Sequence, residues 1–286
     1  MTQLQTTITI LSENTAGPGL GILAEHGFAA LVERGNLRLL FDTGAGYVLL
    51  NNAARLRQDL GRLDGIALSH GHYDHTGGLM DVLALQPGNV PVYAHPAILG
   101  RKWSVHKNEE GEEKRRYVGV PWPQDALEAA GARFDWGKEP RQIAEGVWLS
   151  GEIPRRTAFE RVPGSLQVQQ GEQWMQDEMR DEQSLFLRGE QGLIVLLGCA
   201  HPGMVNILQH AQQITGITEV QAVIGGTHLV AQNAEAVAAS VAALKQLRPG
   251  LVGTAHCTGI RANAHIAAAF GDAFRECPAG AVLQLE

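Results

Sequence analysis

Four times along this chain a short run of Val, Ile and Leu stops at a cluster of Gly and His. Residues 65–68 run into Ser69-His70-Gly71-His72-Tyr73-Asp74-His75, and residues 193–197 into Gly198-Cys199-Ala200-His201. Residues 220–224 lead to Gly225-Gly226-Thr227-His228, and residues 251–253 to Thr254-Ala255-His256. Runs of this length, bounded by Gly, suit strands better than helices. Further strands are expected at 7–11, 37–41, 90–93, 146–149 and 184–187. Helical character is expected at 47–60, 78–85, 124–130, 204–214, 234–247 and 262–270. In the first half strands cluster before helices; in the second they alternate. The pattern predicts an α/β chain with sheets packed together and helices outside.

The chain has 286 residues and no low-complexity linker, which favours one domain over 1–286. Two stretches stand apart: residues 101–122, dense in charge, and 155–183, polar and without apolar periodicity. They read as insertions able to serve as lids. No run of 18 apolar residues is present, so no spanning helix is expected. The N-terminal stretch lacks the pattern of a signal peptide, which gives a cytoplasmic expectation. Lys and Arg number 23 against 30 Asp and Glu, a net charge of −7 that argues against a broad nucleic-acid footprint. Three Cys make no disulfide framework. Gly-x-Ser-x-Gly and the Walker loop are both absent.

Three His and one Asp within six residues point to metal. On an extended segment His70 and His72 project to the same side and can grip one ion. Gly71 permits a tight turn, so Asp74 and His75 can face a second ion nearby. These residues cannot close two coordination spheres, and the later strand ends offer His201, His228 and His256 as completing groups. His95, after the strand at 90–93, is a further candidate. Asp42 is expected to hold a ligating His by its second ring nitrogen. Cys199 is either a soft ligand or a small buried residue.

Residues 69–78 resemble the His-x-His-x-Asp-His signature of metallo-β-lactamase fold hydrolases, and Phe41-Asp42-Thr43-Gly44 resembles that fold's buried Asp-Thr-Gly turn. Glu25-His26-Gly27, residues 198–203, residues 225–229 and His256-Cys257-Thr258-Gly259 resemble a narrower branch, which includes archaeal dihydropterin-type synthases and bacterial relatives. The resemblance implies a four-layer αββα sandwich with two metals in a cleft. It assigns His70, His72 and His201 to one ion, and Asp74, His75 and His256 to the other. Many superfamily members carry a bridging Asp where this chain has residues 198–200. Glu182, before the strand leading there, is a stand-in ligand. Asp74 and His228 are the expected catalytic groups.

The expected function is a dinuclear metal-dependent hydrolase. A metal-activated hydroxide would attack a small phosphorylated or ester-type metabolite. The cofactors would be two divalent ions, Zn first, with Mn and Fe compatible. Arg155, Arg156 and Arg161 are candidates to pair with a substrate phosphate, and Trp103, Tyr117 and Trp122 to wall an aromatic ring. One alternative is a synthase that uses an aromatic nucleophile and expels pyrophosphate. Others are an iron-dependent oxidoreductase and a ligand-binding protein built on the same site. The partner is a small-molecule substrate, with no nucleic acid and no membrane; oligomeric state stays open.

Overall fold

The computed structural model describes residues 5–19 and 21–286. The first four residues of the N-terminal stretch read for a leader lie outside them. Every run read as a strand is one, and every helical segment holds a helix, trimmed or extended at its ends.

Two seven-stranded sheets face each other. The first has the spatial order Val282–Leu285, Thr6–Ser12, Ala29–Arg34, Leu37–Phe41, Gly65–Ala67, Val90–Ala94, Ala132–Trp136. Its last four strands run parallel. The second has the order Phe274–Glu276, Leu251–Ala255, Val220–Gly226, Leu193–Leu197, Leu185–Arg188, Val147–Leu149, Arg141–Ala144. Its first four strands are parallel.

Alternation along the strands builds the layers, because successive side chains point to opposite faces. Ala30 and Val32 face inward to meet Ile194, Leu196 and Ile224 between the sheets. Their neighbours Ala29 and Leu31 face outward, onto Leu49 of helix Leu49–Arg55 and Leu79 of helix Leu79–Leu85. Leu193, Val195 and Leu197 turn outward in the same way, under helices Met204–Thr215, Ala234–Leu247 and Ile260–Phe270. The result is the expected αββα sandwich, and its parallel strands end along one edge. Among the described residues, no helix is long and apolar enough to cross a membrane.

The two stretches read as insertions lie together. They combine into one antiparallel sheet of four strands, ordered Gln173–Gln176, Leu166–Gln170, Arg101–Lys107, Glu113–Tyr117. Two polar segments far apart in sequence satisfy each other's backbone, which apolar periodicity does not register. The sheet is anchored, too. Buried Lys102 pairs with Asp177 at 2.6 Å and Asp181 at 2.8 Å, and Asp181 accepts the Gly71 N–H at 2.8 Å. Near Arg156, the Arg156 and Thr157 amides donate to Asn206 Oδ1. Glu160 caps helix Met204–Thr215 by accepting the Val205 and Asn206 amides.

Candidate metal centre

Each expected donor sits just past the end of a parallel strand. Asp42 follows Leu37–Phe41, the His70 segment follows Gly65–Ala67, and His201, His228 and His256 follow three adjacent parallel strands of the second sheet. Tight turns at these ends bring side chains back over the edge. Asp42, Ala200, His228 and His256 all have φ between 51° and 61°, which L-residues rarely adopt. Such strain concentrates where the surrounding structure over-determines a site. Gly71 is required for a reason other than the one its spacing suggests. Its φ is ordinary, but a Cβ there would lie 2.0 Å from the Ile98 carbonyl oxygen.

Two sets of donors result. In the first, His70 Nε2 lies 3.0 Å from His72 Nδ1, and His201 joins them with all donor atoms within 4.8 Å of one another. In the second, Asp74 Oδ2 is 3.4 Å from His256 Nε2 and 3.9 Å from His75 Nε2, and the two imidazole nitrogens are 3.3 Å apart. Two nitrogens bound to one tetrahedral zinc at 2.0–2.1 Å lie about 3.3 Å from each other. These spacings therefore suit a shared cation. His72 Nε2 and His228 Nδ1 are buried without a hydrogen-bond partner among the described residues, a cost that an imidazole cluster bears poorly without a ligand. Both observations fit the divalent metal that this donor set implies.

Electrostatics set the two donor sets apart. Burial, reinforced by neighbouring imidazoles, drives His70 and His72 well below the usual histidine pKa, so both keep lone pairs free. Burial also lowers His201, against the pull of Glu182. At His75 burial is outweighed by the paired Asp42 carboxylate, which raises it to about 9. The penalty of burying Asp74 is overcome by hydrogen bonds from His256 and His26, which hold it well below the carboxylate range.

The supporting groups are as informative as the donors. Asp42 Oδ2 bonds His75 Nδ1 at 2.7 Å, and the carboxylate also takes the Ser69 amide and hydroxyl, the orienting role expected of it. Glu182 is not spaced as a ligand. It bonds His201 Nδ1 and accepts the Cys199, Ala200 and His201 amides, so it holds His201 from behind. His95 lies away from the site, bonded to Glu152 at 3.2 Å and to the Ala97 amide.

Arg155 donates to the Glu178 carbonyl and Arg156 to Gln213, so both point elsewhere. Arg161 shares a small crevice with His201 and His228. The aromatic trio Trp103, Tyr117 and Trp122 lines a separate hollow together with Arg101, and not the metal cleft.

A cleft of about 400 Å³ opens over both donor sets. Its walls show two residues that the sequence reading passed over. His26 lies with Nε2 3.2 Å from Asp74 Oδ2 and groups with Asp74 and His256. The motif Glu25-His26-Gly27 carried the signal, but no strand end marks it. Arg116, on the polar strand Glu113–Tyr117, stacks over Tyr73 with its guanidinium carbon 5.3 Å from the ring centroid. It brings a cation to the cleft wall from a stretch whose charge looked merely solvated.

Comparison with known proteins identifies relatives of the whole chain. Residues 37–133 match the profile of the beta-lactamase superfamily domain. A 7,8-dihydropterin-6-methyl-4-(β-D-ribofuranosyl)-aminobenzene-5′-phosphate synthase from Methanocaldococcus jannaschii is 32% identical over 97% of this chain and 96% of its own length. An uncharacterized protein of the same organism is 31% identical over 89% of this chain and 91% of its own. Among solved structures, Tm1679, described as a metal-dependent hydrolase of the β-lactamase superfamily, superposes with a TM-score of 0.83. It is 29% identical, with 97% of this chain and 98% of that one covered.

Proposed function

This chain belongs to the metallo-β-lactamase superfamily, in the branch of the M. jannaschii synthase, and from that premise we propose that it is a dinuclear metal-dependent hydrolase of a small phosphorylated or ester-type metabolite. The observation that carries the reading is the pair of donor sets, His70–His72–His201 and Asp74–His75–His256, side by side beneath one cleft. Two divalent ions bound there would polarise the electrophile and bring the pKa of a water close to neutrality, with Zn preferred by this donor chemistry.

The chain's own groups supply the rest. Arg116 meets an anionic substituent at the cleft wall, where its stacking on Tyr73 limits the freedom it would lose on binding. Asp42 and Glu182 fix the rings of His75 and His201 through their second nitrogens, so the donors need not reorganise. His228 stands at the cleft with its ring 4.2 Å from that of His201. It is placed to hold a proton for the leaving group.

A second reading is favoured by identity along the whole length of the M. jannaschii synthase. An aromatic nucleophile would take the place of water and release pyrophosphate. One experiment separates the two. The purified protein is offered chromogenic phosphodiester, phosphomonoester, lactone and thioester substrates, and separately a dihydropterin diphosphate with an aminobenzene nucleophile while pyrophosphate is assayed. Hydrolysis of one chromogenic class, lost in His72→Ala, supports the hydrolase. Pyrophosphate release that requires the nucleophile supports the synthase. Turnover that persists unchanged in His72→Ala contradicts both.

A further inference from the structure

Two thiols line the floor of the cleft, and neither reading employs them. Cys199 and Cys257 are both buried and free, and both border the cleft. They arrive from strands that are not neighbours. Cys199 follows Leu193–Leu197 and Cys257 follows Leu251–Ala255, with Val220–Gly226 running between them.

Gly226 lets them meet. A Cβ there would lie 2.8 Å from Cys257 Sγ and 3.3 Å from the Cys199 Cα, so a side chain at this strand end would wedge the two apart. Without one, the Cys257 thiol donates to the Cys199 carbonyl oxygen at 3.3 Å, and the two sulfurs lie within 4.8 Å of each other. The gap left to a bonded pair is within reach of a change of rotamer. The third thiol, Cys277, is packed in the core between the sheets and does not border the cleft.

We propose that Cys199 and Cys257 are a redox modification site: peroxide joins them in a reversible disulfide that closes the metal centre. One sulfur attacks a peroxide oxygen, the O–O bond breaks, and water leaves behind a sulfenic acid. The second thiol attacks that sulfur, forms the S–S bond and releases a second water. Two thiols are oxidised by two electrons, and one peroxide is reduced to two waters. The closing follows from the neighbours. His256 precedes Cys257 directly and His201 lies two residues past Cys199, on turns where Ala200 and His256 are held at φ 61° and 51°. Drawing the sulfurs together re-aims both imidazoles. This consequence rests on the two-ion reading, whereas the cross-link does not.

Metal-free, reduced protein is treated with hydrogen peroxide, quenched with catalase, alkylated and mapped by mass spectrometry. Zinc uptake is measured before oxidation, after it, and after a dithiol reductant. The expected product has lost two hydrogens, keeps one of its three thiols, and yields a peptide pair joining Cys199 to Cys257. Zinc uptake should fall at least tenfold and return on reduction. Sulfinic acid at either residue without a cross-link overturns the proposal, as do a bond to Cys277 and thiols that stay unreacted. A mapped Cys199–Cys257 bond with zinc uptake unchanged overturns the closing. Reduced protein that takes up no zinc would sink the two-ion reading and the closing with it, while the mapping still decides the cross-link.

Discussion

The two sheets deliver their donors in contrasting ways. The first sheet sends out four, His70, His72, Asp74 and His75, within one six-residue segment after a single strand. The second sends out His201, His228 and His256 singly, one after each of three adjacent parallel strands. Yet the braces behind them are alike. A buried carboxylate stands behind one imidazole on each side, Asp42 behind His75 and Glu182 behind His201. The third case crosses over, since Asn14, from beyond the first sheet's Thr6–Ser12 strand, holds His256 Nδ1 at 2.8 Å. A compact motif concentrates candidate donors, but each donor set draws on both sheets.

The largest effect expected from disturbing one side alone is at Lys102. Lys102→Ala leaves Asp177 and Asp181 buried without their cation, and breaking such a pair costs about 3–5 kcal/mol. Denaturant unfolding should show that loss. Because Asp181 also holds the Gly71 amide, metal bound at the His70 segment should become easier to chelate.

Next come the two braces, which test whether the sides are equivalent. Asp42→Asn and Glu182→Gln should each weaken metal binding by about 10–100-fold, the usual cost of losing the partner behind a ligating imidazole. Competition with a chromophoric chelator measures it. If only one of them matters, the symmetry of the braces has no energetic meaning.

A pH series sharpens the comparison further. His75 is raised from 6.5 to about 9 by Asp42, against burial. In the metal-free protein its protonated pair with Asp42 stabilises the fold fully below about pH 6.5, and that contribution is lost as pH rises through about 9. Metal uptake at the same ring needs the proton gone, so apparent affinity should fall about tenfold per pH unit below 9. His70 and His72, already neutral, should impose no such slope above pH 6.5. Calorimetric titration at several pH values reads both.

The smallest effect serves as a control. Asn233 caps helix Ala234–Leu247 by accepting the Ala236 amide at 2.8 Å, and Asn233→Ala should cost about 1 kcal/mol of stability. Thermal melting should move while metal affinity does not.

What could be seen from the sequence follows the same division. The His70 segment is legible because its donors are neighbours, and the strand-end His residues because each follows an apolar run and Gly. Residues 101–122 and 155–183 were opaque. Their strands are polar and largely exposed or half-buried, and they are held by pairing between residues more than sixty apart in sequence, such as Trp103 with Gln167. Arg116 was hidden for the same reason. His95 satisfied the strand-end rule and still missed the site, since it follows Val90–Ala94, one strand further from the His70 segment, and is turned to Glu152. Glu182 was found by position, but whether it ligates or braces depends on the Cys199–His201 turn, which only the folded chain displays.

Two donor sets, each joining the two sheets, are proposed to hold two ions. Elemental analysis of the purified protein beside His201→Ala and His256→Ala tests this most directly. About two divalent ions per chain are expected in the unmodified protein and about one in each variant. One ion or fewer in the unmodified protein, or two retained in either variant, would contradict it.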